Sequence, residues 1–300
     1  MKLAVMADIH SNYIALEQCM TYALEQGVRH FVFLGDYIGE LAYPERTMAL
    51  LYDYKEKYDC VFIRGNKEEY WLQYKAEGEQ GWREYDSTTG VLWYAYHRLL
   101  DRDLDFFGRM PISRRLQFGE LPSLLVCHGT PDSTRKAMRW KAAGPGEGVS
   151  WGNAHTEEVL ERCEEKMLLC GHTHVQGRLE YGGKILLNPG AVGLPLERDG
   201  RSRFVILHGD EGGWREEFVS LPYDRVRVIQ EIDESGLGRR APYWSIITKR
   251  HLMEHADCPG HAVLLGRAME ICRQTQGFCN WPDIPEDCWK QALEEAGLLP

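Results

Sequence analysis

The chain has no apolar run approaching the roughly 20 residues that a membrane-spanning helix requires; stretches such as Leu3–Ala7 and Met167–Cys170 are strand-sized. Met1-Lys2 runs straight into a strand-like segment, which leaves no room for a secretory signal. Positive charge is in deficit: 35 Lys and Arg stand against 45 Asp and Glu, for a net charge of −10. A broad nucleic-acid surface needs clustered Lys and Arg, so this balance argues against one. A small anionic substrate stays open, because bound divalent cations reverse the field locally. The nine cysteines build no paired framework. Their number is odd and several (Cys19, Cys127, Cys170) sit inside apolar runs, which suits a reducing cytoplasm. Internal repeats and low-complexity segments are also missing. What is present, 44% hydrophobic and 27% charged residues, is the balance of a well-packed soluble core in one large or two small domains.

The patterning alternates between strand and helix. Residues 2–7 predict a buried strand, and Leu16, Cys19, Met20, Ala23 and Leu24 fall on one helical face. Ser11 or Asn12 is the expected cap of that helix and Gly27 its stop. His30–Leu34 and Asp59–Ile63 predict further strands, with a helix opened by Pro44 between them. This order predicts βαβ units with parallel pairing. Residues 67–107 are rich in Tyr, Trp, Glu and Arg at helical spacing and predict a helical insertion. Strands resume at Ile112–Phe118 and Ser123–Cys127. A Gly/Pro loop over Gly144–Gly148, a helix over Thr156–Cys163 and a strand at Met167–Cys170 follow. Two hairpins are expected around Gly182-Gly183 and Gly212-Gly213. From residue 221 to 300 the strands stop, and the patterns at Val226–Ile232, Val263–Cys272 and Cys288–Ala296 predict a helical extension, docked on the core or capping the site.

Five short motifs each follow an apolar run and carry side chains able to bind a metal. They are Asp8-Ile9-His10, Gly35-Asp36, Gly65-Asn66, Cys127-His128-Gly129 and Gly171-His172-Thr173-His174. Taken singly they are ordinary: Asp-x-His also serves as a turn or helix cap, Gly-Asp and Gly-Asn are turn pairs, and His128 alone fits a hydrogen-bonded core histidine. His172 and His174 carry more weight, since alternate residues of an extended segment can reach adjacent ions. Together the seven donors converge at the carboxyl ends of strands, where α/β sheets bind ligands. Asp, Asn and His without a thiolate cluster suit Mn²⁺, Fe²⁺ or Zn²⁺ and argue against a structural zinc site. Two such ions, about 3.5–4 Å apart, can share a bridging carboxylate and a bridging hydroxide that attacks phosphorus in line.

The order of these motifs resembles the calcineurin-like metallophosphoesterase superfamily. Asn-Pro-Gly-Ala-Val-Gly at 188–193 resembles its small bacterial phosphodiesterase-like branch. The resemblance covers residues 1–220 and leaves 221–300 unexplained. It implies an α/β fold, a four-layered α/β/β/α sandwich rather than one doubly wound sheet. It also implies one ion held by Asp8, His10, Asp36 and His174 and a second held by Asp36, Asn66, His128 and His172. Asp36 would then bridge, and Asp36, Asn66, Lys67 and His128 would carry the catalysis.

Position 67 departs from the family, whose Gly-Asn continues with His. A charged Lys67 could stabilise phosphoryl oxygens as a point charge. It could also relay protons if its pKa fell from about 10.4, or face solvent from a first helical turn. The departure weakens monoester chemistry that needs a general acid, and matters less for phosphoanhydrides or activated diesters. Arg64 and Tyr37 flank the ligands and could touch phosphate or be structural. Tyr70, Trp71, Trp82, Trp93 and Tyr94 could form an aromatic wall for a nucleobase, or core. Cys258, Cys272, Cys279 and Cys288, with His251, His255 and His261, match no metal-knuckle spacing and read as buried thiols.

The expected protein is a cytoplasmic hydrolase with two divalent ions (Mn, Fe or Zn), acting on a phosphodiester or nucleotide-type small molecule. Alternatives are a dinucleoside polyphosphate hydrolase, a phosphomonoesterase or protein phosphatase, and a non-catalytic scaffold of the same fold that binds a partner protein. A protein phosphatase is disfavoured by Gly-Asp-Tyr-Ile-Gly-Glu-Leu at 35–41, which lacks the usual Arg, and by Lys67. No membrane contact is expected, and self-association stays open.

Overall fold

Side-chain alternation along the first strand sets the architecture. β1 (Lys2–Met6) sends Leu3, Val5 and then Ala7 to one face and Ala4 and Met6 to the other, and all five are buried. A strand buried on both faces sits between two layers. The computed structural model describes residues 1–141, 151–197, 199–254 and 259–299. The Gly144–Gly148 loop, His255 and Cys258 lie outside them.

The first sheet also contains β2 (His30–Phe33), β3 (Asp59–Phe62), β11 (Ser202–Asp210) and β12 (Gly213–Leu221), in the order β12-β11-β1-β2-β3. The βαβ expectation holds for β1, β2 and β3, which pair in parallel, but β11 joins β1 antiparallel, so the sheet is mixed. The second sheet runs β4-β5-β8-β10-β9, from β4 (Ser113–Leu116), β5 (Leu124–Cys127), β8 (Met167–Leu169), β9 (Gly177–Tyr181) and β10 (Lys184–Asn188). A two-stranded ribbon joins β6 (Trp140–Lys141) to β7 (Trp151–Gly152). Both expected hairpins form, β9 with β10 and β11 with β12.

Leu3, Val5, Ala7, Val32, Leu34, Leu124, Val126, Leu169 and Leu187 form one buried cluster between the sheets. The opposite faces are covered by helices. α1 (Tyr13–Glu25) and α2 (Pro44–Lys57) pack on Ala4, Met6, Phe31 and Phe33, while α6 (Ala154–Arg162) packs Val159 and Leu160 on Leu168 and Leu186. The result is the expected α/β/β/α sandwich. Asn12 is the cap of α1, accepting from Ala15 N at 3.0 Å, and Gly27 follows the helix at φ 80°.

The insertion comprises α3 (Asn66–Ala76), α4 (Gly90–Tyr96) and α5 (Asp101–Arg109). After Leu221 come α7 (Arg225–Glu234), α8 (Leu237–Arg240), α9 (Pro242–Glu254), α10 (His261–Gln276) and α11 (Glu286–Glu295). Ile247, Leu264, Ile271, Trp289 and Leu293 give the last three a core of their own. The insertion and the C-terminal helices are bolted together. Glu286 accepts from Ser87 N at 2.6 Å and Oγ at 2.7 Å, and Trp289 Nε1 donates to Thr88 Oγ1 at 2.9 Å. Asp86 N donates to Arg240 O at 3.0 Å. Among the described residues no helix is long and apolar enough to cross a membrane.

Candidate metal centre

Each strand end delivers its donor to one edge of the sandwich. Asp8 and His10 follow β1, Asp36 follows β2, Asn66 opens α3 after β3, His128 follows β5, and His172 and His174 follow β8. Nine non-glycine residues among those described have a clearly positive φ. Asp8 (55°), His10 (49°), Asp36 (53°), His172 (68°) and His174 (59°) are five of them. Left-handed backbone costs a side-chain-bearing residue about 1–3 kcal/mol and survives only where the surroundings enforce it, as at functional sites.

The enforcing contacts are specific. Buried Glu68 accepts from the backbone N–H of Gly65 at 2.8 Å, Asp36 at 3.0 Å and Tyr37 at 2.9 Å, so one carboxylate ties the loops after β2 and β3 together. Those loops touch: a Cβ on Gly35, at φ 97°, would lie 2.5 Å from Gly65 N. Gly-Asp and Gly-Asn are thus a matched pair. Asn188 clasps the His172–His174 loop, donating from Nδ2 to Gly171 O at 2.7 Å and Thr173 Oγ1 at 3.1 Å. Glu40 and Glu68 do not stand out in the sequence as site residues, although a Glu three positions after Gly65 fits a capping box, and Asn188 stands out only as the first residue of the 188–193 motif.

The donors converge. Asp8, His10 and His174 present ligand atoms all within 4.8 Å of one another, as do Asp8, Asp36 and His128. Asp36 faces both ways, with Oδ2 3.7 Å from His10 Nε2 and Oδ1 3.5 Å from His128 Nε2. Asn66 Oδ1 lies 3.0 Å from His128 Nε2, and His174 Nε2 lies 3.6 Å from Asp8 Oδ1. His172 joins the cluster through its ring, 5.1 Å from that of His128, and through its backbone N, 3.0 Å from Asp8 Oδ2.

Tautomers test whether these residues fit a cation. His128 Nδ1 donates to Leu34 O and His174 Nδ1 to Leu194 O, each at 2.7 Å. A carbonyl only accepts, so Nδ1 carries a proton, and in the neutral ring Nε2 has the lone pair that a cation would take. His10 Nδ1 lies 2.5 Å from Glu40 Oε2, while its Nε2 sits 3.1 Å from His174 Nε2. Two ring nitrogens that close need a proton or a metal ion between them, and this pair is placed to share either. With bonds of about 2.1 Å, neighbouring ligands on one ion stand about 3 Å apart.

The electrostatics agree. Burial pushes His172 down to about 4, with His128 adding to it, and His174 down to about 3, with His10 adding to it. Both are therefore neutral at physiological pH. Burial and the Asp36 charge push Asp8 up to about 7 despite the neighbouring histidines. Against their burial, Glu40 and Asp36 raise His10, and Asp36 and Asp8 raise His128, so these two rings hold protons whose place divalent ions would take.

Lys67 lies beside this cluster in a buried ion pair with Glu40, its side chain 14% exposed. Its backbone N–H donates to Asp36 Oδ1 at 2.8 Å. Burial alone would lower its pKa, but Glu40 and Asp36 outweigh this and raise it. Neither solvent exposure nor a lowered pKa describes this side chain; it is a fixed cation. Tyr37 and Arg64 are structural instead of substrate-facing. The buried Tyr37 hydroxyl donates to Ile63 O at 2.7 Å, and Arg64 Nη2 donates to Met110 O at 2.7 Å.

A cavity of about 710 Å³ opens over the cluster. Its lining includes His10, Asp36, Asn66, Lys67, His172 and His174, and, from the C-terminal helices, Trp244, His251, His261 and Leu265. Of the two arrangements expected for those helices, both apply: α7 docks on the sandwich core and α9 and α10 cap the site. Of the two readings of the insertion's aromatic residues, core is the one that holds, with Tyr70 and Trp82 packed against it half-buried. Trp71 and Tyr94 are core, Trp82 stacks on Tyr74 at 3.9 Å, and Trp93 stacks on His97 at 3.9 Å. The tryptophans in the cavity are Trp140 and Trp244. Cys272 and Cys288 are buried thiols in the α9–α11 core, as expected, and Cys279 packs against it half-buried.

An α/β/β/α sandwich with Asp, Asn and His donors on its strand ends defines a metallophosphoesterase. A model of the calcineurin-like phosphoesterase superfamily domain matches residues 1–212, and the chain belongs to that superfamily as a metal-dependent phosphoesterase. It is 24% identical over 253 residues to an uncharacterized protein of Methanocaldococcus jannaschii, covering 81% of this chain and 94% of that one. A hypothetical protein of Pyrococcus horikoshii shares the fold with a TM-score of 0.68 at 18% identity, over 85% of this chain and 98% of that one. A metallophosphoesterase of Sphaerobacter thermophilus does so with a TM-score of 0.60 at 19% identity, over 79% of this chain and 95% of that one.

Proposed function

We propose that the chain hydrolyses a phosphodiester or nucleotide-type small molecule at a centre of two divalent ions, Mn, Fe or Zn. The observation that carries the reading is Asp36, whose two carboxylate oxygens face separate groups of donors. Asp8, His10, Asp36 and His174 would hold one ion, and Asp36, Asn66, His128 and His172 the other. When bound, the ions would polarise phosphoryl oxygens and acidify a water as nucleophile. His128 and His174 are oriented for this by their Nδ1 bonds to Leu34 and Leu194 carbonyls. Asn66 lies at the cavity floor, where a phosphate oxygen would sit, with the buried His128 3.0 Å behind it.

Lys67, held by Glu40, offers that phosphate a positive charge that does not move. A fixed ammonium is a poor proton donor to a basic leaving group. It therefore favours esters whose leaving group departs unprotonated. The same feature supports phosphoanhydrides, such as dinucleoside polyphosphates, as a second reading.

Metal analysis of protein purified without chelator should find about two transition-metal ions per chain. Asp36→Asn should lower that content and reduce hydrolysis of bis-p-nitrophenyl phosphate in Mn²⁺ by at least about a hundredfold. A metal-free wild type, or an undiminished variant, would overturn the two-ion reading.

A further inference from the structure

The cavity wall divides by chemistry. Its floor carries His10, Asp36, Asn66, His172, His174 and Lys67, whereas Met138, Trp140, Leu194, Leu196, Trp244 and Leu265 build most of the rest, with Arg139, His251 and His261 as polar members among them. Ions and a phosphate group need none of the six apolar residues. Leu196 is 42% exposed at this opening, an unfavourable placement that a bound apolar group would relieve. The aromatic members are fixed in place. Trp244 lies 4.5 Å from the ring of His261, with 34° between the planes, and packs edge-on to Trp289 at 5.9 Å. Trp140 rests on the bare backbone of Gly177, where a Cβ would come within 3.0 Å of its Cζ2. The histidines here are engaged, His251 Nε2 with Pro195 O at 2.8 Å and His261 Nε2 with Thr248 Oγ1 at 2.9 Å. Apart from the exposed Arg139, this half of the cavity offers mainly ring faces and aliphatic surface.

We infer that the apolar wall of the cavity, built from β6 together with α9 and α10, is a subsite for a flat, largely apolar substituent of nucleobase size on the substrate phosphate, with Trp140 and Trp244 as specificity-determining residues. The inference rests on the phosphoester reading above. At about 710 Å³ the cavity falls in the size range of sites for whole small molecules. Stacking on a tryptophan is tolerant of which base is present, so the subsite selects planarity and size over base identity.

Binding is read by quenching of tryptophan fluorescence with adenosine monophosphate, glycerol phosphate and inorganic phosphate. Selectivity is read by the ratio of kcat/KM for bis-p-nitrophenyl phosphate to that for methyl p-nitrophenyl phosphate, which keeps the leaving group and exchanges the second substituent. Adenosine monophosphate should bind at least about tenfold more tightly than glycerol phosphate. Trp140→Ala and Trp244→Ala should each reduce both preferences about tenfold, mostly through KM, and Trp244→Phe should retain most of them. Trp244 also joins two buried clusters, so Leu265→Trp provides a variant that fills the subsite without opening the core; it too should weaken adenosine monophosphate. Equal affinity for the two organic phosphates in the wild type, or unchanged preferences in folded variants, would overturn the subsite while leaving the phosphoester reading intact. A wild type that hydrolyses neither diester in Mn²⁺ would remove that reading and the inference with it.

Discussion

At the scale of single residues, the seven donors are readable from sequence because each is a distinctive residue type placed just beyond an apolar run. The groups that hold them are not. Glu68 serves three backbone N–H groups on two loops, and that role exists only once Gly35 and Gly65 are in contact. For Arg64 and Tyr37 the sequence leaves substrate contact and a structural role equally open, because adjacency to a ligand says nothing about direction; both turn into the fold. Lys67 and Glu40 give the sharpest test at this scale. Removing one partner of a buried pair leaves an uncompensated charge, costing about 3 kcal/mol or more. Lys67→Met should destabilise by about that amount in urea unfolding, and adding Glu40→Gln should recover most of the loss. Additive effects of the two changes would show that the pair has no energetic reality.

At the scale of elements, the strands of the two five-stranded sheets and the helices α1, α2, α10 and α11 follow from periodicity, whereas the short β6–β7 ribbon does not. Neither does α9. Its residues meet three different surroundings: Leu252 packs toward the sandwich, Ile247 toward the C-terminal core, and Trp244 and His251 toward the cavity. A helix with three partners has no single apolar stripe to read; Pro242 at its first position was the remaining signal. The joint between insertion and extension was equally hidden, because residues some 200 positions apart make it. Gly90 marks it, since a Cβ there would stand 1.9 Å from Arg240 O. Gly90→Ala should therefore destabilise by about 2 kcal/mol or more and expose the segment around Arg240 to limited proteolysis. An unchanged melting temperature and digestion pattern would mean the joint yields freely.

At the scale of the whole molecule, the centre gathers buried carboxylates and left-handed residues in a chain already carrying a net charge of −10. Ions that bind only the folded state stabilise it by mass action, by about 2.7 kcal/mol for each ion present at a hundredfold over its Kd. Exhaustive chelation should consequently lower Tm by roughly 10 °C, restored by added Mn²⁺ or Zn²⁺; a Tm indifferent to chelator would show that the centre is not linked to folding. Sheet order adds a temporal consequence. β1 gains one neighbour, β2, within about 30 residues, but the other, β11, begins only at Ser202. During vectorial synthesis the strand that carries Asp8 and His10 keeps an open hydrogen-bonding edge until about two thirds of the polypeptide has left the ribosome.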